Sequence, residues 1–414
     1  VETLLDDQVK NTGPLKGVRV FDMTRILAGP SATQILGDLG AEVLKIEKPN
    51  AGDDTRKWGP PYLKDEDGQD TTESAYYLSA NRNKKSLTLD FTTTEGLEIA
   101  RKLIGQSDIL FENYKPGTLD KYGLAYAQLK KEFPRLIYCS LTGFGHTGPY
   151  KDFAGYDFLI QGMGGIMSLT GAIDGEPHKV GVAVVDLMAG MYSLTGILAA
   201  LYHREKTGEG QFIDVSLLDT QVAWLSNAGQ YYLTSGKATP RMGNAHPTIV
   251  PYEVFRASDG YIILAVGNDK QYRDFCVFAE HLSLCEDPRF LQNSDRVKNR
   301  DILLPVLRDV IAQKPRQYWI DGLARRGVPC GPVNNLPEVF AHPQVAARNM
   351  TVKMDHPLSP DPITLIGNPL KLSATPVTNR RPPPPLGLDT DEVLASALSL
   401  TEKEIVDLRA KGVI

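Results

Sequence analysis

Cysteine is scarce in this chain. Cys139, Cys276, Cys285 and Cys330 are the four present, none forms a CxxC pair, and no histidine stands at zinc-ligand spacing from them. A disulfide framework and a structural zinc site are therefore excluded, no metal is expected, and the pattern reads as free thiols in a reducing compartment. Long apolar runs are also missing. No uninterrupted stretch approaches the ~20 residues of a membrane span, so no membrane partner is expected. Basic charge is not in excess: the formal net charge is −5 and no long Lys/Arg run occurs. Nucleic-acid binding needs a basic face, and pairs such as Lys84–Lys85 and Arg380–Arg381 read as solvated surface. No signal or transit segment is visible. The chain begins at Val1 rather than Met, which reads as a leader removed.

What is present is a globular composition, 42% apolar and 23% charged, close to the soluble average. A chain of 414 residues exceeds one typical domain, so two domains are expected, or a large one with a smaller one inserted. GVRVFDM (17–23) reads as a strand, GPSATQILGDLG (29–40) as a helix stopped by Gly40, and AEVLKIEKP (41–49) as a second strand. Strand–helix–strand in about 30 residues is a βαβ unit of a parallel sheet. The alternation continues with a strand at 86–91, a helix at 94–106, a strand at 107–114, a helix over 117–132 and a strand at 135–144. The expected fold class is α/β with a doubly wound, Rossmann-like parallel sheet.

Residues 145–186 are rich in glycine, a region of turns and close backbone approach. A helix is expected over 187–206, with Leu187, Met191, Leu194, Leu198 and Leu201 as its apolar stripe. A strand is expected over 211–219. From 225 to 330 the pattern changes to a hairpin around Ser258-Asp259-Gly260 and two helical stretches, a smaller α+β domain. The division is thus 1–224 and 331–414 for the large domain and 225–330 for the small one. RRPPPP (380–385) is a stiff spacer, and Thr401 with Glu404 forms a capping box for a terminal helix.

The first βα turn, TRILAGPSAT (24–33), lacks GxGxxG, which argues against a dinucleotide. Its helix start still offers backbone N–H groups to an anion. Glu47-Lys48 after the second strand suits a ribose and an additional phosphate, as coenzyme A carries. Asp186 precedes the long helix and fits an N-cap. A helix N-terminus also keeps a carboxylate ionised, and such a group can attack an activated carbonyl. Arg25, Arg56 and Arg82 stand in loops, as solvated surface or as bidentate partners of a substrate carboxylate. GMGG (162–165) and GNAHP (243–247) are turns or oxyanion loops, and His146 and His246 are candidate acid–bases without an evident partner.

Taken together, the segment 17–56, SANRNKKSLTLDF, LFENYKPGTLDKYG, SLTGFGHTGPY, AGYDFLIQGMGG, VVDLMAGMYSLTGILAALYHREKTGEGQ and GVPCGPVN resemble the class III CoA-transferase family, of formyl-CoA/carnitine CoA-transferase type. The resemblance runs from about residue 14 to the C-terminal AKGVI. It implies a large domain built from both chain ends, a small inserted domain, and a homodimer whose subunits interlock like linked rings. It implies Asp186 as nucleophile, coenzyme A contacts at Arg25, Leu27, Ala28, Lys48, Leu89, Asn113, Tyr114, Lys121 and Tyr122, and no tightly bound cofactor beyond a coenzyme A thioester as co-substrate. Dicarboxylic substrates are implied, with succinyl-CoA as donor and an acid such as glutarate as acceptor, in a mitochondrial setting. The substrate side is assigned to Tyr156, Gly243 and His246 with an arginine for the distal carboxylate, Arg82 first and Arg56 second. Two departures stand out: Ala154 replaces a basic residue common before GYD, and GNAHP carries only Gly243 where the family has a glycine-rich shielding loop. Racemases of 2-methylacyl-CoA share the fold, but their GHD histidine is replaced by Tyr156 in Gly155-Tyr156-Asp157, a poor proton acceptor at neutral pH. A non-catalytic coenzyme A-binding protein is the third reading.

Overall fold

The computed structural model describes residues 10–414. They pack as two units. The first comprises the described part of 1–166 with 180–230 and 344–414; the second comprises 167–179 and 231–343. The small unit therefore starts later and runs further than the 225–330 read from the sequence, and it takes in part of the glycine-rich stretch.

The first unit is built on six parallel strands: β1 (Arg19–Met23), β2 (Glu42–Glu47), β3 (Lys84–Thr88), β4 (Ile109–Glu112), β5 (Ile137–Thr142) and β6 (Phe212–Ser216). Their spatial order is β3-β2-β1-β4-β5-β6, the doubly wound order that reverses between β1 and β4. Strands buried on both faces carry apolar side chains at odd and even positions alike. Val20, Ile109, Phe111, Ile137, Cys139 and Leu141 enter one core, with α1 (Ala28–Asp38) and a later long helix. Phe21, Met23, Leu87, Leu110 and Tyr138 enter the other, with α2 (Thr94–Ile104), Leu129 of α3 (Tyr126–Glu132) and the C-terminal helices Thr390–Leu398 and Glu402–Ala410. The C-terminal segment thus completes the large unit. Its last helix opens with the expected Thr401–Glu404 capping box.

Differences from the expected elements have local causes. The helix expected over 117–132 is split by Gly123, whose φ of 68° is left-handed, into a 3₁₀ turn, Leu119–Tyr122, and α3. The strand expected over 211–219 ends at Ser216, whose hydroxyl accepts from Asp219 N at 3.2 Å and caps the next helix. Between them, α4 (Asp157–Met163) and α5 (Val184–Thr207) precede α6 (Leu217–Ala223). Helix α5 begins earlier than expected, and its apolar stripe divides. Leu194 and Leu201 are buried, whereas Leu187, Met191 and Leu198 are exposed, because small residues, Ala189, Gly190, Ser193 and Ala200, face inward instead. It is 24 residues long and strongly apolar over a span-length stretch. In length and composition it could cross a bilayer, but it packs against α1, β5 and β6 as a core helix.

The second unit has a three-stranded antiparallel sheet of β7 (Tyr252–Ala257), β8 (Gly260–Ala265) and β9 (Cys330–Pro332), with β8 central. The β7–β8 hairpin turns where the sequence places it, at Ser258–Asp259. Helices Asp269–Phe278, Arg300–Ala312 and Arg316–Ala324 contribute Phe275, Leu307 and Trp319 to its own core.

Candidate active site

In an open parallel sheet, ligands bind beyond the C-terminal strand ends where the strand order reverses. Here that place is the gap between β1 and β4. A cleft of about 190 Å³ opens there. Its walls come from the turn after β1 (Arg25, Ile26, Ala28), the turn after β4 (Asn113, Tyr114, Lys115, Pro116), the turn after β5 (Thr142, Gly143), the segment Phe153–Tyr156, and Asp186 of α5.

Two close approaches bring these pieces together. A Cβ on Gly190 would lie 2.6 Å from Ala28 O and 2.7 Å from Ser31 Oγ, so only glycine lets α5 press against the start of α1. Asp186, one turn before Gly190, is carried to the cleft by that contact. Gly143 and Gly155 meet backbone to backbone; a Cβ on Gly155 would come within 2.6 Å of Gly143 Cα.

Asp186 is not the N-cap expected from sequence. Helix α5 starts at Val184, its cap position is Ala183 with no side-chain bond, and Asp186 lies within the first turn. The capping acceptor comes from α4: Asp157 Oδ1 accepts from Val185 N at 2.8 Å and from Asp186 N at 3.4 Å. Gln161 Nε2 holds the other oxygen at 2.7 Å. These amides, which would otherwise stabilise an anionic Asp186, are thus taken, and no donor reaches the Asp186 carboxylate among the described residues. Burial, and then the negative Asp157, raise its pKa to about 7. The helix start does not keep this carboxyl fully ionised at neutral pH, contrary to the expectation.

Tyr76 belongs to the same neighbourhood. Burial, then the charges of Asp186 and Asp157, push its phenol up to about 12, so it is a proton donor at neutral pH. Its ring meets Trp58 edge-on, with centroids 5.2 Å apart. Sequence reasoning assigns neither Tyr76 nor Asp157. Asp157 is legible as an acid opening a short helix after an extended tyrosine; Tyr76 carries no local signal.

The expected coenzyme A contacts divide into three groups. Arg25, Ala28, Asn113 and Tyr114 converge on the cleft. Asn113 Oδ1 accepts from Arg25 N at 2.9 Å and its Nδ2 donates to Arg25 O at 2.8 Å, which ties the β1 and β4 turns together. The Arg25 guanidinium lies 4.9 Å above the Tyr114 ring and 3.6 Å from Asp54, and its buried Nε has no acceptor. Leu27 is the N-cap residue of α1. Tyr122 joins Tyr114 through Phe91, edge-on to both rings, and Lys121 and Lys48 are exposed near the strand ends. Leu89 is 2% exposed, so its side chain belongs to the core and is not a ligand contact. Sequence reasoning misses Lys115, although it directly follows Asn113-Tyr114; among the described residues it and Arg25 are the cations on the cleft wall.

Both arginines chosen for a distal carboxylate are committed elsewhere. Arg82 forks onto Asp38, at 2.9 and 2.5 Å, and donates to Ile366 O. Arg56 holds Glu47 and Glu73, at 2.7 Å each, and reaches Tyr77 Oη and Pro384 O. Each is 3% exposed, which removes both as readers of a substrate. Glu47, read as a ribose acceptor, is buried in the same ion pair. These residues look like loop positions in sequence, and only the tertiary fold supplies their acidic partners. Tyr156 is exposed at the cleft mouth. Gly243 and His246 lie in the second unit. Gly243, with φ of 60°, donates to Gly171 O at 3.1 Å, and His246 Nδ1 accepts from Thr248 N at 3.1 Å. His146, read as an acid–base without a partner, bonds Ser140 Oγ through Nε2 at 2.7 Å.

Comparison with known proteins agrees with this architecture. Residues 15–390 match the model of CoA-transferase family III. The succinate–glutarate CoA-transferase of Agrobacterium fabrum is 44% identical over 94% of this chain and 97% of its own length. The succinyl-CoA:glutarate CoA-transferase of Homo sapiens is 41% identical over 98% and 91% respectively. A crystal structure of a CAIB/BAIF family protein from Brucella suis superposes with a TM-score of 0.84 at 45% identity, covering 94% of this chain and all of that one.

Proposed function

This chain belongs to CoA-transferase family III, and on that premise we propose that it moves coenzyme A from succinyl-CoA to glutarate through covalent intermediates on Asp186. The observation that carries the proposal is the position of Asp186: an under-solvated carboxyl at the cleft, without a hydrogen-bond donor of its own, facing the switch point of a doubly wound sheet.

The ionised Asp186 attacks the thioester carbonyl of the donor, the C–S bond breaks, and coenzyme A leaves as thiolate from an aspartyl–succinyl anhydride. The thiolate attacks the Asp186 carbonyl carbon and expels succinate, leaving an aspartyl-CoA thioester. Glutarate attacks that thioester and releases the thiolate again, which then takes the glutaryl carbonyl and restores the carboxylate. Each attack builds a negative oxygen. A preorganised donor at such an oxygen contributes about 3 kcal/mol, and the protonated Tyr76 phenol is the donor in the neighbourhood of Asp186. Arg25 and Lys115 meet the anionic groups of the substrates. A pKa near 7 suits a carboxylate that must be desolvated enough to react yet ionised at working pH.

An interlocked homodimer is part of this reading. It is supported by the large apolar side chains left exposed on α4 and α5: Phe158, Leu159, Met163, Leu187, Met191 and Tyr202. A soluble surface rarely leaves such a group together uncovered. Sedimentation or light scattering at twice the chain mass is the expected result. Mitochondrial placement is proposed on the family resemblance alone, with subcellular fractionation as its test.

The functional test is incubation with succinyl-CoA and glutarate. Formation of glutaryl-CoA with equal release of succinate is expected. A protein that instead exchanges solvent deuterium into the α-carbon of an acyl-CoA, without transfer, would be a racemase.

A further inference from the structure

The turn after β1 contains a conformation that its sequence does not favour. Ile26 has φ of 73°, the left-handed region, where a β-branched side chain is costly. Such a residue persists only where its surroundings hold it there. The hold is visible. Ile26 N lies 3.3 Å from both carboxylate oxygens of Asp53. Asp53 is itself fixed on every side: Lys45 Nζ donates to Oδ2 at 2.9 Å, and Thr55 N and Oγ1 donate to Oδ1 at 3.0 and 2.8 Å. The Asp53 amide is anchored to Glu47 Oε2 at 2.9 Å, and Glu47 in turn is clamped by Arg56. The Lys45 and Asp53 side chains are fully buried, and Lys45 also donates to Thr24 O at 2.9 Å, one residue before Arg25. Burial alone would raise the Asp53 pKa, but Lys45 and these donors bring it down to about 2. The carboxylate is therefore ionised throughout the working range.

We propose that Asp53, charged and oriented by Lys45, is a positioning residue for the coenzyme A cleft, which acts by holding Ile26 in the left-handed conformation. Nothing in Asp53 lines the cleft; Arg25, Ile26 and Ala28 do. Turning the chain at Ile26 aims the Arg25 guanidinium over Tyr114 and sets the first turn of α1, with its unbonded amides, at the cleft. Without the Asp53 acceptor, Ile26 relaxes to negative φ and the whole wall moves. The proposal rests on the reading of this cleft as the coenzyme A site.

A double-mutant cycle between Asp53→Ala, which removes the acceptor, and Ile26→Gly tests it, because glycine takes positive φ without cost. Coenzyme A is titrated calorimetrically into each purified full-length variant, and melting temperatures are recorded alongside. In the Ile26 protein, Asp53→Ala weakens binding about tenfold, equivalent to about 1.4 kcal/mol. In the Ile26→Gly background the same substitution weakens it by no more than about twofold, within ordinary additivity error. The melting temperature falls in both backgrounds alike, since Lys45 loses its partner in both. That divergence between affinity and stability is what a merely structural role would not produce. Equal losses of affinity in the two backgrounds, or no loss in either, would overturn the proposal. Should Asp53→Ala not give soluble protein, Asp53→Ala/Lys45→Met removes both buried charges together and replaces it in the cycle. If the unsubstituted protein binds no coenzyme A, it is the assignment of the cleft that falls, and the positioning role with it.

Discussion

The substitution Asp186→Asn should make the protein more stable at alkaline pH. The pKa of Asp186 rises from 3.8 to about 7 on folding, from burial first and Asp157 second. The native state therefore holds a proton that the unfolded state has lost between those two values. By linkage, stability contributed by this group is greatest at low pH and declines as pH rises from about 4 to about 7, after which the loss is complete. A tenfold change in proton affinity corresponds to about 1.36 kcal/mol, so ionising Asp186 costs the fold up to about 4 kcal/mol. Partial hydration at the cleft reduces this, and a difference of about 2 kcal/mol is expected between wild type and Asp186→Asn at pH 8. Asparagine keeps the shape and carries no charge. At pH 5 the folded carboxyl is still neutral but the unfolded one is already ionised, so the gain should fall to less than about half its value at pH 8, and it vanishes only below about pH 4. Urea denaturation of both proteins at pH 5 and pH 8 measures it, with the pH dependence of the difference isolating Asp186 from Glu112, whose burial also raises it to about 7. A gain that is absent at pH 8, or as large at pH 5, would show that this carboxylate is not held under-solvated beside Asp157.

Other perturbations separate the roles of the neighbours. Asp157→Asn keeps an oxygen acceptor for Val185 N but removes the negative charge, so the acid limb of kcat/KM should move to lower pH by up to about one pH unit; an unchanged limb would place the titration elsewhere. Arg82→Ala and Arg56→Ala each leave buried carboxylates unpaired and should destabilise by about 3–5 kcal/mol, seen as a fall in denaturation midpoint, without a selective rise in KM for the diacid in the protein that remains folded. Gly190→Ala places a methyl against Ala28 O and should cost about 1–3 kcal/mol in stability together with a fall in kcat as Asp186 is displaced.

Much of the fold is local and therefore legible. The βαβ grammar of residues 17–49, the 258–260 hairpin and the Thr401–Glu404 cap depend on neighbours within a few residues, and each has its expected counterpart in the structure. Asp186 can be located at the start of a helix, but not its relation to that helix, because the cap is supplied by Asp157, 29 residues earlier. The arginines show the same limit more sharply. Arg82 meets Asp38 across 44 residues, and Arg56 closes onto Pro384 O across 328. A sequence window sees a basic loop residue in each case, whereas the fold has made both into internal struts. The apolar stripe of α5 misleads because period alone does not say which of two apolar faces turns inward; the close approach at Gly190 decides that in favour of the small one.

In the proposed cycle Asp186 becomes covalently attached to the acyl donor and to coenzyme A during turnover. Intact-protein and peptide mass spectrometry after mixing with succinyl-CoA, followed by hydroxylamine, tests it most directly. A hydroxamate is expected on the peptide containing Asp186, formed only when succinyl-CoA is present and absent from Asp186→Ala. A protein that transfers coenzyme A to glutarate with no trapped adduct at Asp186, or whose Asp186→Ala variant transfers it at the wild-type rate, would contradict it.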